Sequence, residues 1–201
     1  MNTSEVIKEI KRKSIHVIPG FMAIPFIIWL GKPIAFTTSL FFFTLYALNE
    51  ISIRKNLGFK VPIAYQTYMI MARKEELENK TFIGTIYFWG LTTIIILLLP
   101  PIPAAAAVMV SSLGDAAAAI IGKMYPYPRN PLNKRKSLTG SVAMFLISII
   151  VCLIAGLNLY SSLIVAISST LAEALTKKSV NDELSVPIVS GIVSYLIYIY
   201  L

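Results

Sequence analysis

An apolar run of membrane-spanning length that contains a carboxylate constrains this chain more than any other feature. The run begins near Ala104 and carries Asp115 close to its end. An ionisable residue inside such a segment indicates a functional site. Small residues recur there every fourth position and form a stripe that lets a neighbouring helix approach closely, namely Gly114, Ala118 and Gly122. We therefore expect Asp115, beside this stripe, to face protein rather than lipid.

The composition identifies the class of protein. Of the 201 residues, 56% are hydrophobic and 14% are charged, and the mean hydropathy is +0.73. A soluble domain of this size does not carry so many long apolar runs with so few charges. The single cysteine, Cys152, excludes a disulfide within the chain. We predict an all-α, polytopic membrane protein with one domain over residues 1–201.

Seven apolar segments are predicted to span the membrane. They cover about 15–30, the residues after a turn at 31–33 up to about 48, and then 81–99, 104–121, 138–157, 161–175 and 184–201. The N-terminus resembles a signal peptide, but Pro19 and Pro25 interrupt its apolar stretch, so it is interpreted as the first span. Between spans two and three, residues with helical spacing predict an amphipathic helix at the interface, namely Tyr65, Tyr68, Met69 and Ala72.

The positions of the positive charges predict the orientation. With seven spans and a cytoplasmic N-terminus, only Lys32 of the 18 basic residues falls on the outer side. Lysine and arginine collect on the cytoplasmic side of membrane proteins, so this map follows the positive-inside rule and the net charge of +8 requires no nucleic-acid partner. An excess of isoleucine and lysine with little cysteine favours a prokaryotic plasma membrane.

The same map gathers unusual polar residues on the cytoplasmic side. The cations are Arg12, Lys13, Lys123 and Lys136, and the carboxylates are Asp115, Glu173 and Asp182, with His16 and Glu183 nearby. Carboxylate oxygens suit Mg²⁺, and lysine and arginine bind phosphate oxygens. A metal, a set of cations and a positioned nucleophile are the parts that phosphoryl transfer requires.

Asp115 needs a cation, because a lone carboxylate in the inner membrane layer is costly. The candidates are a lysine, which would be structural, or a metal ion, which would be catalytic. We expect Asp115 to bind Mg²⁺ with Glu173 or Asp182 as the second acidic ligand, and Lys123 and Lys136 to bind nucleotide phosphates.

Several short motifs, in order along the chain, resemble those of one enzyme family. They are Arg12-Lys13-Ser14-Ile15-His16, Glu50-x-x-x-Arg54, Gly114-Asp115-x-x-Ala118-x-x-x-Gly122-Lys123, Lys136-Ser137-Leu138-Thr139-Gly140-Ser141, Glu173-Ala174-Leu175 and Asp182-Glu183-Leu184-Ser185-Val186-Pro187. Together they resemble the CTP-dependent lipid-alcohol kinases, which include dolichol kinase, phytol kinase and the CTP-type diacylglycerol kinase. One departure is Glu183, where that family usually has asparagine.

The resemblance implies an enzyme that transfers the γ-phosphate of CTP, with Mg²⁺, to a lipid hydroxyl at the cytoplasmic face. Its implied catalytic residues are Asp115, Lys136, His16, Arg12 and Lys13. Its implied nucleotide-binding residues are Gly114, Gly122, Lys123, Lys136, Ser137, Thr139 and Gly140. An isoprenoid alcohol of the dolichol, polyprenol, phytol or geranylgeraniol type is the favoured acceptor.

Two rival functions differ in testable ways. A phosphatidate-type cytidylyltransferase shares a Gly-Asp element and uses CTP, but it typically closes with a Gly-Gly and Asp-Arg-x-Asp cluster, which is absent from residues 179–185 here. A small transporter or non-catalytic subunit would place acidic residues along a path between the two sides, whereas the carboxylates here gather at one end of the predicted spans.

Overall fold

The computed structural model describes residues 3–176 and 179–200, and the side chains of residues 5–176 and 183–200. The helices are α1 (Thr3–His16), α2 (Ile18–Ala23), α3 (Lys32–Lys55), α4 (Ala64–Met71), α5 (Lys74–Glu78), α6 (Ile83–Leu98), α7 (Pro101–Met109), α8 (Asp115–Met124), α9 (Leu138–Ala155), α10 (Leu159–Leu175) and α11 (Ser179–Tyr200). Two π-helical segments extend α2 and join α7 to α8, at Ile24–Trp29 and Val110–Gly114. A two-stranded antiparallel hairpin consists of β1 (Arg129–Asn130) and β2 (Asn133–Ser137).

Within the described residues, four helices are long and apolar enough to cross a membrane. They are Lys32–Lys55, Pro101–Met124, Leu138–Ala155 and Glu183–Tyr200. The helices at the third and sixth predicted spans, Ile83–Leu98 and Leu159–Leu175, are apolar but shorter. The first predicted span forms α2 and its π-helical extension, which is not among the four. The structure is therefore mostly helical and contains four candidate membrane-spanning helices, and the count of seven spans stays a prediction.

Helix ends follow local sequence chemistry. Proline occupies the start of α7, where its fixed φ suits the first helical turn. Gly156 ends α9 in a left-handed conformation with φ 104°, which costs glycine little. The side chain of Asn158 accepts a hydrogen bond from the Ser161 backbone N–H at 2.8 Å and so caps α10. These residues mark where the apolar helices of the bundle begin and end.

The core of the bundle is built on α7. Its run of alanines, 104–107, has no exposed surface, and it is packed by α11, α9 and α2. Small side chains allow such close approach, which supplies packing contacts where no hydrophobic effect acts between helices in lipid. Larger apolar residues that include Val165 and Met144 complete this core without exposure.

The small-residue stripe on α8 packs against the start of α9. A Cβ added to Gly122 would lie 2.9 Å from the Ser137 hydroxyl, and one added to Gly140 would lie 2.7 Å from the Ala118 carbonyl oxygen. A Cβ on Gly114 would lie 2.9 Å from Met144 Sδ. The predicted close packing is confirmed, and Asp115 beside the stripe is buried within the protein.

Two details differ from the sequence-based expectation. The sequence predicts a loop over 122–137, and the second half of this segment instead forms the β1–β2 hairpin. The predicted single interfacial helix is two short helices, α4 and α5, because the backbone is extended at Ala72 and Arg73. Glu76 then accepts a hydrogen bond from the Arg73 N–H at 2.7 Å and caps α5.

Candidate functional site

A charged cavity of about 530 Å³ lies where α1, α8, the hairpin, the start of α9 and the facing ends of α10 and α11 meet. Its basic lining residues are Arg12, Lys13, Arg73, Lys123, Arg129, Arg135 and Lys136. Its acidic lining residues are Glu5, Glu9, Asp115, Glu173 and Glu183. Positive side chains outnumber negative ones among the described lining residues, so the cavity favours an anionic ligand.

Asp115 begins α8 and extends into this cavity. Lys13 from α1 donates a hydrogen bond to Asp115 Oδ2, and His16 Nε2 lies 3.4 Å from the same oxygen. Lys13 is only 1% exposed and Asp115 is 9% exposed. Of the two cations considered from the sequence, the structure therefore pairs the carboxylate with a lysine.

His16 is held from several directions at the end of α1. Its Nε2 is 3.4 Å from the carbonyl oxygen of Ser111 and 3.9 Å from Glu183 Oε2, besides its contact with Asp115. Its own carbonyl accepts a hydrogen bond from Ser112, and its ring lies 4.8 Å from that of Phe88. Since every polar neighbour of Nε2 is an acceptor, we assign a proton to this nitrogen.

The π-helical turn before Asp115 creates part of this arrangement. A π-turn leaves local carbonyls without their usual α-helical partners, and such turns recur at functional sites. Here the turn presents the carbonyl of Ser111 to His16 and the hydroxyl of Ser112 to the backbone of α1 and α2. The Gly20 N–H donates to Ser112 Oγ at 3.2 Å. Nothing in the periodicity of this apolar run predicted that turn.

One group of described residues is compact enough to share a metal ion. Ligand atoms of His16, Asp115 and Glu183 all lie within 4.8 Å of one another. Mg²⁺ sites commonly use one or two carboxylates and keep water or phosphate oxygens in the remaining positions. The carboxylates of Asp115 and Glu183, at the edge of the cation-rich cavity, fit this pattern. Lys13 would then contact Asp115 together with the metal ion. Glu173 is not in this group, and the side chain of Asp182 lies outside the described residues.

Lys136 reaches from β2 to the end of α10. Its Nζ is 2.8 Å from Glu173 Oε1 and 3.0 Å from Thr176 Oγ1, and it also donates to the Glu173 carbonyl. Glu173 Oε2 is buried and has no hydrogen-bond partner among the described residues. The Lys136 side chain lines the cavity and stays partly exposed, while its ammonium group is bound to the end of α10.

Glu9 joins two of the cavity cations, and sequence reasoning missed it. Glu9 Oε1 accepts from Arg12 Nε at 3.0 Å, and its Oε2 accepts from Lys123 at 2.6 Å. Burial alone raises the pKa of Glu9, but Arg12 and Lys123 outweigh burial and lower the pKa from 4.5 to about 2. The i, i+3 spacing of Glu9 and Arg12 on α1 was the available sequence signal.

The structure brings most of the candidate site residues to this cavity. Those on its wall are Arg12, Lys13, Asp115, Gly122, Lys123, Lys136, Ser137, Gly140 and Glu173, with His16 in contact with Asp115. Gly114 and Thr139 lie outside its lining. Gly114 packs against Met144, and the Thr139 hydroxyl donates to the Tyr125 carbonyl. Close packing at Gly114 and the hydrogen bond of Thr139 therefore offer structural explanations in place of the predicted roles in nucleotide binding.

Three arginines on the cavity wall were not among the residues given a catalytic or binding role from the sequence. Arg129 and Arg135 belong to the hairpin, and Arg73 precedes α5. In the sequence they mainly supported the positive-inside pattern, because basic residues are common in the cytoplasmic loops of membrane proteins. The hairpin brings Arg129 and Arg135 to the cavity wall, and the segment before α5 brings Arg73.

Glu50 has a structural role that accounts for its place in the sequence. Its Oε2 accepts from the Phe82 N–H at 2.6 Å, and its Oε1 accepts from Thr81 Oγ1 at 2.8 Å. Arg54 donates to the same Oε1 at 2.5 Å. Glu50 thus satisfies a free N–H at the start of α6 and ties α3 to that helix.

Comparisons of the chain with family models, with curated proteins and with solved structures return no match.

Proposed function

We propose that this protein is a membrane kinase that transfers the γ-phosphate of CTP to the hydroxyl of a long-chain isoprenoid alcohol. The observation that carries the proposal is the cavity whose wall combines cations from α1, α8 and the hairpin with Asp115 and Glu183, which His16 adjoins. Phosphoryl transfer depends mostly on positioning and on neutralising phosphate charge, and these are the properties of such a cavity. The choice of CTP and of a lipid alcohol rests on the motif resemblance.

The cations have distinct tasks in this proposal. Lys123 comes from α8 and Lys136 from β2, and each keeps part of its side chain exposed, at 45% and 19%. They bind the phosphate oxygens of the nucleotide, with Arg12 close by. Lys13 is buried against Asp115, so its task is to hold that carboxylate in place rather than to contact the nucleotide.

Mg²⁺ would be held by Asp115 and Glu183, and when bound it would neutralise charge on the phosphates. His16 lies beside both carboxylates, with its Nε2 3.4 Å from Asp115 Oδ2 and 3.9 Å from Glu183 Oε2, and so contributes to positioning Asp115.

The transfer step requires little from a base. The alcohol oxygen forms a bond to the γ-phosphorus while the bond from that phosphorus to the leaving CDP oxygen breaks. The hydroxyl proton leaves to a phosphate oxygen or to water, since a loose transition state develops little charge on the nucleophile. Nε2 of His16 is assigned a proton and faces acceptors, so the residue orients its neighbours rather than accepting the proton at that atom.

The topology belongs to the same proposal. Seven spans with a cytoplasmic N-terminus place the cavity at the cytoplasmic surface of a prokaryotic plasma membrane. The three shorter segments would be spans that tilt little or thin the bilayer locally. The α4 and α5 helices then lie at the interface beside the cavity, where their exposed apolar side chains, such as Met69 and Ile70, meet lipid.

The test is a transfer assay with the purified protein, Mg²⁺, a panel of lipid alcohols and CTP labelled in the γ-phosphate or, separately, in the α-phosphate. We expect γ-label in a lipid monophosphate and CDP as the second product. A CDP-lipid carrying α-label would identify a cytidylyltransferase instead. No transfer of either label to any alcohol would refute the kinase proposal.

Two lysines of the same strand provide a matched control for this assay. Lys136 lines the cavity, whereas Lys134 is exposed and lies outside the lining. Lys136→Ala is expected to lower transfer strongly, and Lys134→Ala, with the same loss of charge, is expected to leave it near the wild-type rate.

A further inference from the structure

A second cavity, of about 300 Å³, lies between the end of α3, the segment that follows it and α4. We call it the α3–α4 pocket. Its described lining residues include Lys60, Lys80, Asn56 and Tyr65, and none of them is acidic. The pocket shares no described lining residue with the charged cavity of the proposed kinase. It is therefore a separate place on the protein where positive charge faces an open volume.

The two lysines of the α3–α4 pocket have uncharged partners. Lys80 Nζ donates a hydrogen bond to Asn56 Oδ1 at 2.7 Å, and Lys60 Nζ lies 4.9 Å from the centre of the Tyr65 ring. Within the described part of the chain, neither lysine forms an ion pair. Each lysine on the described wall of the charged cavity has a carboxylate partner instead, as in the pairs Lys13–Asp115, Lys123–Glu9 and Lys136–Glu173. The α3–α4 pocket therefore keeps a positive charge that an anionic ligand would neutralise.

The backbone around the pocket adopts left-handed conformations that side chains rarely tolerate. Three described residues other than glycine have a positive φ, namely Asn56 at 51°, Ile63 at 65° and Lys80 at 49°. Asn56 and Lys80 line the pocket, and Ile63 directly precedes α4. A positive φ is a clear outlier for a β-branched residue, and such conformations persist where the surrounding structure imposes them, often beside ligands. The fold therefore holds this segment in a defined shape.

The pocket lies at the level where a candidate membrane-spanning helix ends. That helix, α3, ends at Lys55, and its last turns contribute Ser52 and Ile53 to the pocket wall. The segment between α3 and α4 also presents apolar side chains that are about half exposed, namely Leu57, Phe59 and Ile63. A cationic pocket beside exposed apolar groups at the end of a spanning helix fits a ligand that has both an anionic head and apolar chains.

We propose that the α3–α4 pocket binds the phosphate group of an anionic phospholipid of the surrounding bilayer. Lys60 and Lys80 contact the phosphate oxygens, and the acyl chains lie against the apolar side chains beside the pocket. A volume of about 300 Å³ suits a head group rather than a whole lipid. The positive-inside rule accounts for lysines near this end of α3, but it does not account for two that meet at one pocket without a carboxylate.

Lipid binding can be measured directly on the full-length protein. The protein in a neutral detergent is titrated with phosphatidylglycerol or with phosphatidylcholine of the same acyl chains, and bound lipid is counted by native mass spectrometry. We expect one phosphatidylglycerol to bind in preference to phosphatidylcholine. The double variant Lys60→Gln/Lys80→Gln should weaken that binding by about tenfold or more, whereas Lys60→Arg/Lys80→Arg, which keeps both charges, should retain it.

Two other lysines provide a control with the same loss of charge. Lys55 and Lys74 are exposed, belong to the same region and do not line the pocket. The double variant Lys55→Gln/Lys74→Gln should bind phosphatidylglycerol as the wild type does.

Three results would overturn the proposal. The first is equal weakening by the pocket and control double variants, and the second is wild-type binding of phosphatidylcholine as tight as that of phosphatidylglycerol. The third is displacement of phosphatidylglycerol by an equal concentration of glycerol 3-phosphate, which would identify a site for a soluble phosphate instead. None of these four lysines lines the charged cavity, so the outcome does not depend on whether the protein transfers phosphate.

Discussion

Removing one partner of the buried Lys13–Asp115 pair should destabilise the protein severely. Lys13 is 1% exposed, and its ammonium group donates to Asp115 Oδ2. Asp115→Asn leaves that ammonium buried with only neutral groups in place of its carboxylate. Breaking a buried ion pair in this way costs about 3–5 kcal/mol. Because a typical folded domain is stable by about 5–15 kcal/mol, this loss is a large fraction of the total.

A double-mutant cycle can measure the pair. Lys13→Met keeps the length of the side chain and removes its charge, so the double variant Lys13→Met/Asp115→Asn contains neither buried charge. We expect each single variant to lose about 3–5 kcal/mol and the double variant to lose clearly less than the sum. The assay is unfolding of the purified protein in mixed micelles, followed by helical circular dichroism.

An exposed carboxylate provides the control for this double-mutant cycle. Glu75 is exposed, so Glu75→Gln should change the free energy of unfolding by no more than about 0.5 kcal/mol. If Asp115→Asn changed stability as little as this control, and the two single effects added, the pair would have no role in stability. Transfer activity is then read on the double variant. A stable but inactive double variant, with activity retained in Lys13→Met, would support a chemical role for Asp115 beyond its pairing with Lys13.

Three other predictions concern the nucleotide, the pH dependence and the topology. Lys136→Ala should lower kcat/KM for the nucleotide by about tenfold or more in steady-state kinetics, and kinetics as unchanged as those of Lys134→Ala would remove it from the phosphate contacts. The depressed pKa of Glu9, about 2 against 4.5, adds stability that is complete above pH 4.5 and is lost as the pH falls toward 2. Wild-type Tm should therefore fall more steeply below pH 4.5 than that of Glu9→Gln, and parallel curves would contradict this. In a cysteine-free background, cysteines at Lys32 and Tyr127 should label from opposite sides of sealed vesicles, and labelling of both from one side would disprove the seven-span map.

The helical content and the close packing around Asp115 could be predicted from the sequence because they depend on local patterns. Apolar runs bounded by proline, glycine and charge define the helices, and the four-residue spacing from Gly114 to Gly122 defines a packing face. Helix length was harder to predict. Hydropathy extends across changes of helix type, such as the one after Ala23, where α2 continues as a π-helix.

Part of the candidate site could be predicted because charge in a membrane protein gathers at few places. Lys136 and Glu173 are separate candidates in the sequence, and they form an ion pair at 2.8 Å. The partners of Asp115 were not predictable, because Lys13 is 102 positions away along the chain and its selection depends on how α1 packs against α8. Glu9 was missed for the same reason, since its contact with Lys123 joins those two helices.

The π-helical turn between α7 and α8 explains how one apolar run can form both the core and the site. The alanines of α7 must lie against neighbouring helices on nearly every side, whereas α8 must direct Asp115 toward α1. Successive residues of an α-helix are rotated by about 100° around its axis. An extra residue in the π-turn therefore changes which side of α8 faces α1 without breaking the helix. The same turn contains Ser111, whose carbonyl oxygen lies 3.4 Å from His16 Nε2. The turn therefore positions the carboxylate and the imidazole together, which is why the residues on either side of it can meet different packing and charge requirements.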